Sequence, residues 1–283
     1  MASSKISTAV IAVAGWGTRW LPITKSIEKC MLPVGTRPVV DWVVADCVQA
    51  GITRIIFIIA EEHTQIKQYY SHHAPLEEYL TSKGKAKYLD AVRQPQYAGV
   101  HFEFLVQPKE SYGTAIPVAI AAAAMQEGES FVFLNGDDLI YRSDGSSEVA
   151  DFCREWEESG AEAALMTKLL PKEEATKYGV VITNEQNEFL KIHEKPPLEA
   201  LADVSHPSIN LGKYIISPAL LRMTLEYVAK PTINHDGEYY ITDIFGLAAD
   251  EGHHIKVHYI TGEHLDAGTP KHWLATNQRV MGE

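Results

Sequence analysis

The sequence predicts an α/β protein, a Rossmann-like three-layer α/β/α arrangement around a mixed central sheet. Three observations carry this. Short runs at 8–13, 54–60 and 131–134 are apolar and rich in β-branched residues, the pattern of strands buried on both faces in the middle of a parallel sheet. Segments with helical apolar spacing, at 39–50, 62–70 and 115–125, separate those runs. From residue 161 onward, strand-like runs crowd together between Pro- and Asn-containing turns, so the second half continues the sheet in a different style. The chain of 283 residues is read as one domain, 1–283, with halves at 1–160 and 161–283.

The first strand, 8–13, delivers a loop to the carboxyl edge of the sheet, where α/β proteins place their ligands. From Ala14 to Pro33 that loop reads Ala-Gly-Trp-Gly-Thr-Arg-Trp-Leu-Pro-Ile-Thr-Lys-Ser-Ile-Glu-Lys-Cys-Met-Leu-Pro. Gly15 and Gly17 remove side chains where backbone N–H groups can approach phosphate oxygens, and Arg19, Lys25 and Lys29 add fixed positive charge. The combination points to triphosphate capture. Three familiar phosphate loops do not fit. A dinucleotide fingerprint needs a third glycine where this chain has Trp20, and its acidic residue should end a second strand, whereas Asp41 opens a helix. A P-loop needs Gly-Lys-Ser/Thr, which is absent, and the kinase glycine loop lacks its companion motifs.

The remaining elements follow in order. Residues 35–38 form a turn, 39–50 a helix closed by Gly51, and 54–60 a central strand. A helix at 62–70 precedes a mixed-charge stretch, 74–96, expected to be a helical excursion outside the core. The strand at 100–107 ends in Gln107-Pro108, and Tyr112-Gly113-Thr114-Ala115 opens the apolar helix that runs to 125. The strand at 131–134 stops at Asn135-Gly136-Asp137-Asp138, and carboxylates at the end of a central strand are well placed to hold a metal. A helix at 147–158 is followed by strands at 161–169, 179–182, 188–193 and 210–216. Helices at 219–228 and 242–250, a strand at 255–260 and a helix at 270–280 complete the chain, with no internal repeat.

Composition narrows the function classes. Lys and Arg total 25 against 37 Asp and Glu, a formal charge of −12, so the overall field repels nucleic acid and anionic membrane. A polyanionic substrate must therefore be held locally, which the cationic loop provides. No apolar run approaches the roughly 18 residues of a membrane span, and residues 1–5 are expected to lead directly into the first strand with no room for a signal peptide, so a cytoplasmic location is expected. Cys30, Cys47 and Cys153 are read as reduced thiols, with Cys30 a loop thiol of no chemical role despite its neighbour Lys29. The twelve histidines have no metal-ligand spacing and are expected at the surface.

The run Gly15-Trp-Gly17-Thr-Arg19-Trp-Leu-Pro, with Lys29 ten residues past Arg19 and Leu32-Pro33 after it, resembles the signature loop of the sugar-nucleotide pyrophosphorylases. Thr24-Lys25 and Lys29-x-Met31-Leu32-Pro33 look most like the bacterial UTP–glucose-1-phosphate uridylyltransferase branch. The resemblance implies a nucleotidyltransferase fold whose halves, 1–160 and 161–283, bind nucleotide and sugar phosphate. It implies Mg²⁺ as cofactor, UTP or dTTP and a hexose 1-phosphate as substrates, a homo-oligomer, and no nucleic-acid or membrane partner. Arg19, Lys29 and Lys25 are then the catalytic cations, and Ala14, Gly15, Gly17, Gln107 and Gly113 the nucleotide-binding positions.

Asp137, preferred to Asp138 as the first Asp after the Gly, pairs with Asp266 of Leu-Asp-Ala-Gly-Thr-Pro as metal ligands. Gly179 in Tyr-Gly-Val-Val, Glu194 and Lys195 in Glu-Lys-Pro, and Glu238 in Asp-Gly-Glu-Tyr-Tyr-Ile-Thr-Asp are the sugar-phosphate positions. Glu28 and Cys30 stand where the uridylyltransferases usually carry Pro and Glu, and Asn135-Gly136-Asp137-Asp138 is closer to the wider superfamily, thymidylyltransferases included. The product implied is UDP-glucose. The alternatives are dTDP-glucose and a relative that binds sugar nucleotide without catalysis.

Overall fold

A computed structural model describes residues 6–186, 188–202, 204–230 and 237–282. The amino-terminal stretch read as free of a signal peptide lies outside the described residues. In chain order the strands are β1 Thr8–Ala12, β2 Pro33–Val34, β3 Arg37–Pro38, β4 Arg54–Ile59, β5 His101–Val106, β6 Phe131–Asn135 and β7 Asp138–Tyr141. They continue with β8 Ala163–Leu169, β9 Gly179–Thr183, β10 Phe189–Glu194, β11 Ser208–Ile216, β12 Ile255–Tyr259 and β13 Glu263–Asp266. The helices are α1 Val39–Gln49, α2 Gln65–Tyr69, α3 Ala74–Ser82, α4 Leu89–Arg93, α5 Ala115–Ala121 and α6 Glu148–Ser159. After these come α7 Lys172–Ala175, α8 Pro218–Val228, α9 Ile241–Asp250 and α10 Pro270–Met281.

Nine strands form one sheet. Its first half is parallel, with β6, β1, β4 and β5 side by side, and β11 joins antiparallel to β6. The alternation of strand side chains sorts the core into two layers. Ala9, Ile11, Ile55, Phe57 and Ile59 point to one face with α1 and α6, while Val10, Ile56 and Ile58 point to the other with α5, α8 and α9. This double burial is why the runs read as continuous apolar stretches.

Strand β11 does two jobs. One of its edges is taken along its length by β8; on the other, Tyr214–Ile216 pairs with β6 and Ser208–Ile209 with β9. The start of β9 therefore lies just beyond the end of β6. Between the two halves Gly212 adopts a left-handed φ of 67°, where a Cβ would overlap the Asn135 side chain.

A second, two-stranded sheet of β7 and β13 was not legible in the sequence, which carried those residues as connections. Asp138 pairs with Asp266 and Leu139 with Leu265 in its antiparallel register. Leu139 and Ala267 pack with Val34, Val39, Trp42 and Trp273 in a small separate core that seats this ribbon on α1 and α10. Other differences are local. The helix expected to reach 125 ends at Ala121 and finishes as a 3₁₀ turn, and the 74–96 excursion breaks into α3 and α4 but still buries Leu80 and Glu77.

Candidate active site

A cleft of about 620 Å³ opens at the carboxyl ends of β1, β4, β5 and β6. Ala14, Gly15 and Gly17 line it from the first loop, Gln107 and Gly113 from the segment after β5, and Asp137 from the end of β6. Nothing lies within 4 Å of the position of a Gly15 Cβ, so its backbone is open to a ligand. Gly17 serves the loop itself: at φ 63° it accepts a hydrogen bond on its carbonyl from Thr24 Oγ1 (3.0 Å), and a Cβ there would meet Thr24 at 2.9 Å and Lys29 at 3.0 Å. Gly113, at φ 108°, packs directly on the backbone of Tyr239, and Ala115 N–H donates to Tyr239 O (2.9 Å) while Tyr239 N–H donates to Tyr112 O (3.1 Å). This zipper carries Glu238 into the cleft wall beside Gln107 and Gly113, apart from the other expected sugar residues.

The cationic loop folds as three consecutive 3₁₀ turns, Thr18–Trp20, Ile23–Lys25 and Lys29–Met31, that bring its charges back toward the strand ends. Lys29 Nζ forms an ion pair with Asp137 Oδ2, and the Arg19 guanidinium lies beside Gly268 and Asp266. Lys25 lines a smaller basin of about 160 Å³ with Lys29, and that basin shares Gly15, Trp16 and Glu62 with the main cleft as walls. Asp137 and Asp266 meet through backbone as well, since Ala267 N–H donates to Asp137 O at 3.4 Å. Each carboxylate keeps about a third of its surface open, 36% for Asp137 and 34% for Asp266. Asp266 accepts from Gly268 N–H at 2.5 Å and contacts His272 Nδ1 at 2.7 Å.

Asp138 is turned away from the cleft and is committed elsewhere. Its carboxylate is clamped between Lys213 Nζ and His264 Nε2, the latter at 2.7 Å. Burial alone would raise its pKa, but the Lys213 charge and the His264 hydrogen bond hold it well below the usual carboxylate range. Between the two candidates, Asp137 alone lines the cleft.

On the sugar side, Gly179 and Glu194 are paired residues of β9 and β10, and a Cβ on Gly179 would meet Glu194 Oε2 at 2.9 Å. Lys195 has a left-handed φ of 42° and a 70% exposed side chain, with Nζ 4.0 Å from Glu194 Oε1. None of the three lines the main cleft; they stand beyond the end of β6 because β11 carries β9 there. Tyr178, next to Gly179, lines a further hollow of about 450 Å³ together with Asp266.

Several working residues had no readable signal. Trp20, which only counted against a dinucleotide fold, is buried, donates its Nε1–H to Ala267 O (2.9 Å) and packs edge-on to Trp273, pinning the Asp266 turn to the loop. Glu28 accepts from the N–H groups of Thr64 (2.5 Å), Gln65 (2.7 Å) and Ile66 (3.1 Å), so it fastens the loop to the start of α2. Cys30 is buried, and burial, followed by the Glu28 charge, pushes its thiol far above its ordinary pKa. The expectation of surface histidines is corrected for two: His63 and His258 are buried, His258 because Glu148 and Glu155 bind both ring nitrogens at 2.9 Å.

Known proteins resemble this chain over nearly its whole length. A protein of Methanocaldococcus jannaschii provisionally named UTP–glucose-1-phosphate uridylyltransferase is 31% identical over 282 residues, covering 98% of this chain and 94% of its own. The UTP–glucose-1-phosphate uridylyltransferase of Bacillus subtilis is 27% identical, covering 96% of this chain and 90% of its own. The solved structure of a UTP-bound UGPase from Acinetobacter baumannii superposes with a TM-score of 0.85 at 26% identity, covering 97% of this chain and 93% of that one. The family model described as Nucleotidyl transferase matches residues 8–282. A glycine loop whose cations close on two aspartates, within a fold shared end to end with those relatives, identifies the chain as a member of the nucleotidyl transferase family.

Proposed function

We propose that the protein joins UTP and glucose 1-phosphate to give UDP-glucose and pyrophosphate. The observation that carries this is the ion pair of Lys29 with Asp137, which lines the cleft, together with Arg19 lying beside Asp266, whose neighbour Ala267 bonds the Asp137 backbone. The uridylyltransferase names of relatives that match nearly the whole chain support it. In the reaction an oxygen of the sugar phosphate attacks the α-phosphorus, a P–O bond forms, and the bond to the β-bridging oxygen breaks with its electron pair leaving on pyrophosphate. The attacking phosphate has a second pKa of about 6 and is largely dianionic at neutral pH, so no base is required. What the site must supply is alignment of two polyanions and relief of their repulsion.

The chain's own residues fit those tasks. Gly15 offers open backbone to the phosphates, and Arg19, Lys25 and Lys29 neutralise the β- and γ-phosphates and then the departing pyrophosphate. Gln107 donates its side-chain N–H to Ser111 O at 2.9 Å, which leaves its amide oxygen to accept from the N3–H of uracil, with the Gly113 backbone beside it. Gly179, Glu194, Lys195 and Glu238 receive the hexose and its phosphate.

Asp137 and Asp266 suit Mg²⁺, which takes a few carboxylate oxygens and fills its shell with substrate oxygens and water. Both are partly open hard-oxygen donors, Asp137 in the bend between β6 and β7 and Asp266 at the end of β13, and no cluster of three or more metal-ligating side chains occurs among the described residues. When bound, the ion would neutralise charge between the two phosphates. The −12 charge supports a protein without nucleic-acid or anionic-membrane partners. No helix among the described residues is long and apolar enough to cross a membrane. A cytoplasmic homo-oligomer completes the reading.

The test is pyrophosphate release across a grid of nucleoside triphosphates and hexose 1-phosphates. UTP with glucose 1-phosphate should turn over fastest. A tenfold preference for dTTP would make the protein a thymidylyltransferase, and binding of sugar nucleotide with no turnover of any pair would make it a binding protein.

A further inference from the structure

Beside the main cleft, the basin of about 160 Å³ holds a feature that the reaction scheme above does not use. Lys25, Lys29 and His63 all line it, and His63 is 93% buried, since only 7% of it is exposed. Its Nδ1 is sealed from solvent and has no hydrogen-bond partner among the described residues. Buried polar atoms in folded proteins are nearly always bonded, so an orphaned one at the wall of a basin lined by two lysines and two glutamates marks a place where a ligand completes the structure. The carboxylates at the rim are already engaged: Glu28 accepts three backbone N–H groups, and Glu62 pairs with Lys109. Lys29 is paired with Asp137, whereas Lys25 has no ion pair among the described residues and presents its charge to an entering anion.

We infer that this basin receives the terminal phosphates of the nucleotide and that His63 is a further binding residue for the departing pyrophosphate. The inference rests on the nucleotidyl-transfer reading and deepens it. The basin shares Gly15, Trp16 and Glu62 with the cleft, so a triphosphate whose base lies by Gln107 and whose α-phosphate lies by Asp137 extends naturally past Gly15 into it. The Cβ–Cγ torsion of histidine is broad, and a modest rotation of the ring turns Nδ1 toward a phosphate oxygen. Burial, the largest influence, holds the imidazole below its ordinary pKa, although the Glu28 and Glu62 charges pull the other way.

The experiment measures pyrophosphate binding by calorimetry and the KM for pyrophosphate in the reverse reaction, for wild type, His63→Ala and His63→Lys. The alanine variant should weaken both by about tenfold, the cost of one hydrogen bond to a charged group. The lysine variant should recover to within about threefold, and UMP affinity and the KM for glucose 1-phosphate should move less than about twofold. Should the alanine variant melt early, His63→Leu, which keeps most of the volume without a polar atom, replaces it and should show the same loss of about tenfold. Unchanged pyrophosphate affinity in a folded Ala or Leu variant overturns the inference, as does an equal loss for UMP. Calorimetry with pyrophosphate needs no turnover, so a protein inert toward UTP and glucose 1-phosphate would defeat the functional reading while this measurement still decides the role of His63.

Discussion

Asp138 and Asp266 face each other across the β7·β13 ladder, and this pairing sets Asp137 beside Asp266 although they are 129 positions apart in sequence. The main sheet ends at Asn135 on this side. The small ribbon therefore sets the geometry of the proposed metal pair.

Replacing either Asp137 or Asp266 by Asn should lower pyrophosphate release by at least about 100-fold, the scale of losing one preorganised electrostatic group. Both side chains are one-third open, so folding should be preserved. Kinetics alongside a thermal melt check this, and near-normal turnover in either variant would reject the assignment.

Asp138 should behave differently. Lys213 is only 2% exposed and its charge is matched by Asp138, so Asp138→Asn leaves a buried ammonium without its counter-charge. Breaking such a pair costs about 3–5 kcal/mol. Urea unfolding should show a loss of that size, whereas Lys213→Met combined with Asp138→Asn should recover part of it. A silent Asp138→Asn variant would mean that the clamp does not hold the ribbon.

Acid should loosen the far end of the same ribbon. Glu148, fully buried, accepts from His258, Arg142 and the N–H groups of Thr261 and Gly262; burial opposes its ionisation, but these partners bring its pKa down to about 2. A depressed carboxylate stabilises the fold above its ordinary pKa and loses that contribution as pH falls through its folded value. The contribution is roughly 3 kcal/mol, lost between about pH 4.5 and 2. For His258, burial would lower the pKa, but Glu148 and Glu155 raise it, so its share is complete below about 6.5 and is lost as pH rises through the raised value. The stability gap between wild type and Glu148→Gln should therefore be widest near pH 5–6 and narrow on both sides. Denaturant melts across pH measure it, and a gap independent of pH would contradict the network.

Gly113→Ala places a methyl group on the Tyr239 backbone and imposes an unfavourable positive φ. A cost of about 1–3 kcal/mol is expected, with the KM for the nucleotide rising more than that for the sugar phosphate. Equal changes in both would detach this zipper from the base-binding wall.

The parts of the fold that were readable were those whose pattern is local. The buried strands β1, β4 and β6 announce themselves through unbroken apolar runs, and the first loop through glycines and cations placed close in sequence. The β7·β13 ribbon did not, because four-residue strands carrying Asp, His and Glu have no apolar alternation to detect and depend on each other for pairing. Trp20 and His63 were missed for the same kind of reason: each acts through a partner or a cavity contributed by distant parts of the chain. Their meaning is tertiary.

Strand β11 has one more consequence. Because a single run of peptide units carries β6 at one end and β9 at the other, the separation between the proposed phosphate end of the cleft and the proposed hexose wall is counted in residues. Adding or deleting one residue between Ser208 and Tyr214 would move that wall by about 3.3 Å and invert every side chain beyond the change. Reacting groups aligned for in-line attack tolerate an error of only about 1 Å. Gly212 apart, this stretch of chain can therefore drift in composition over evolutionary time far more freely than it can change length.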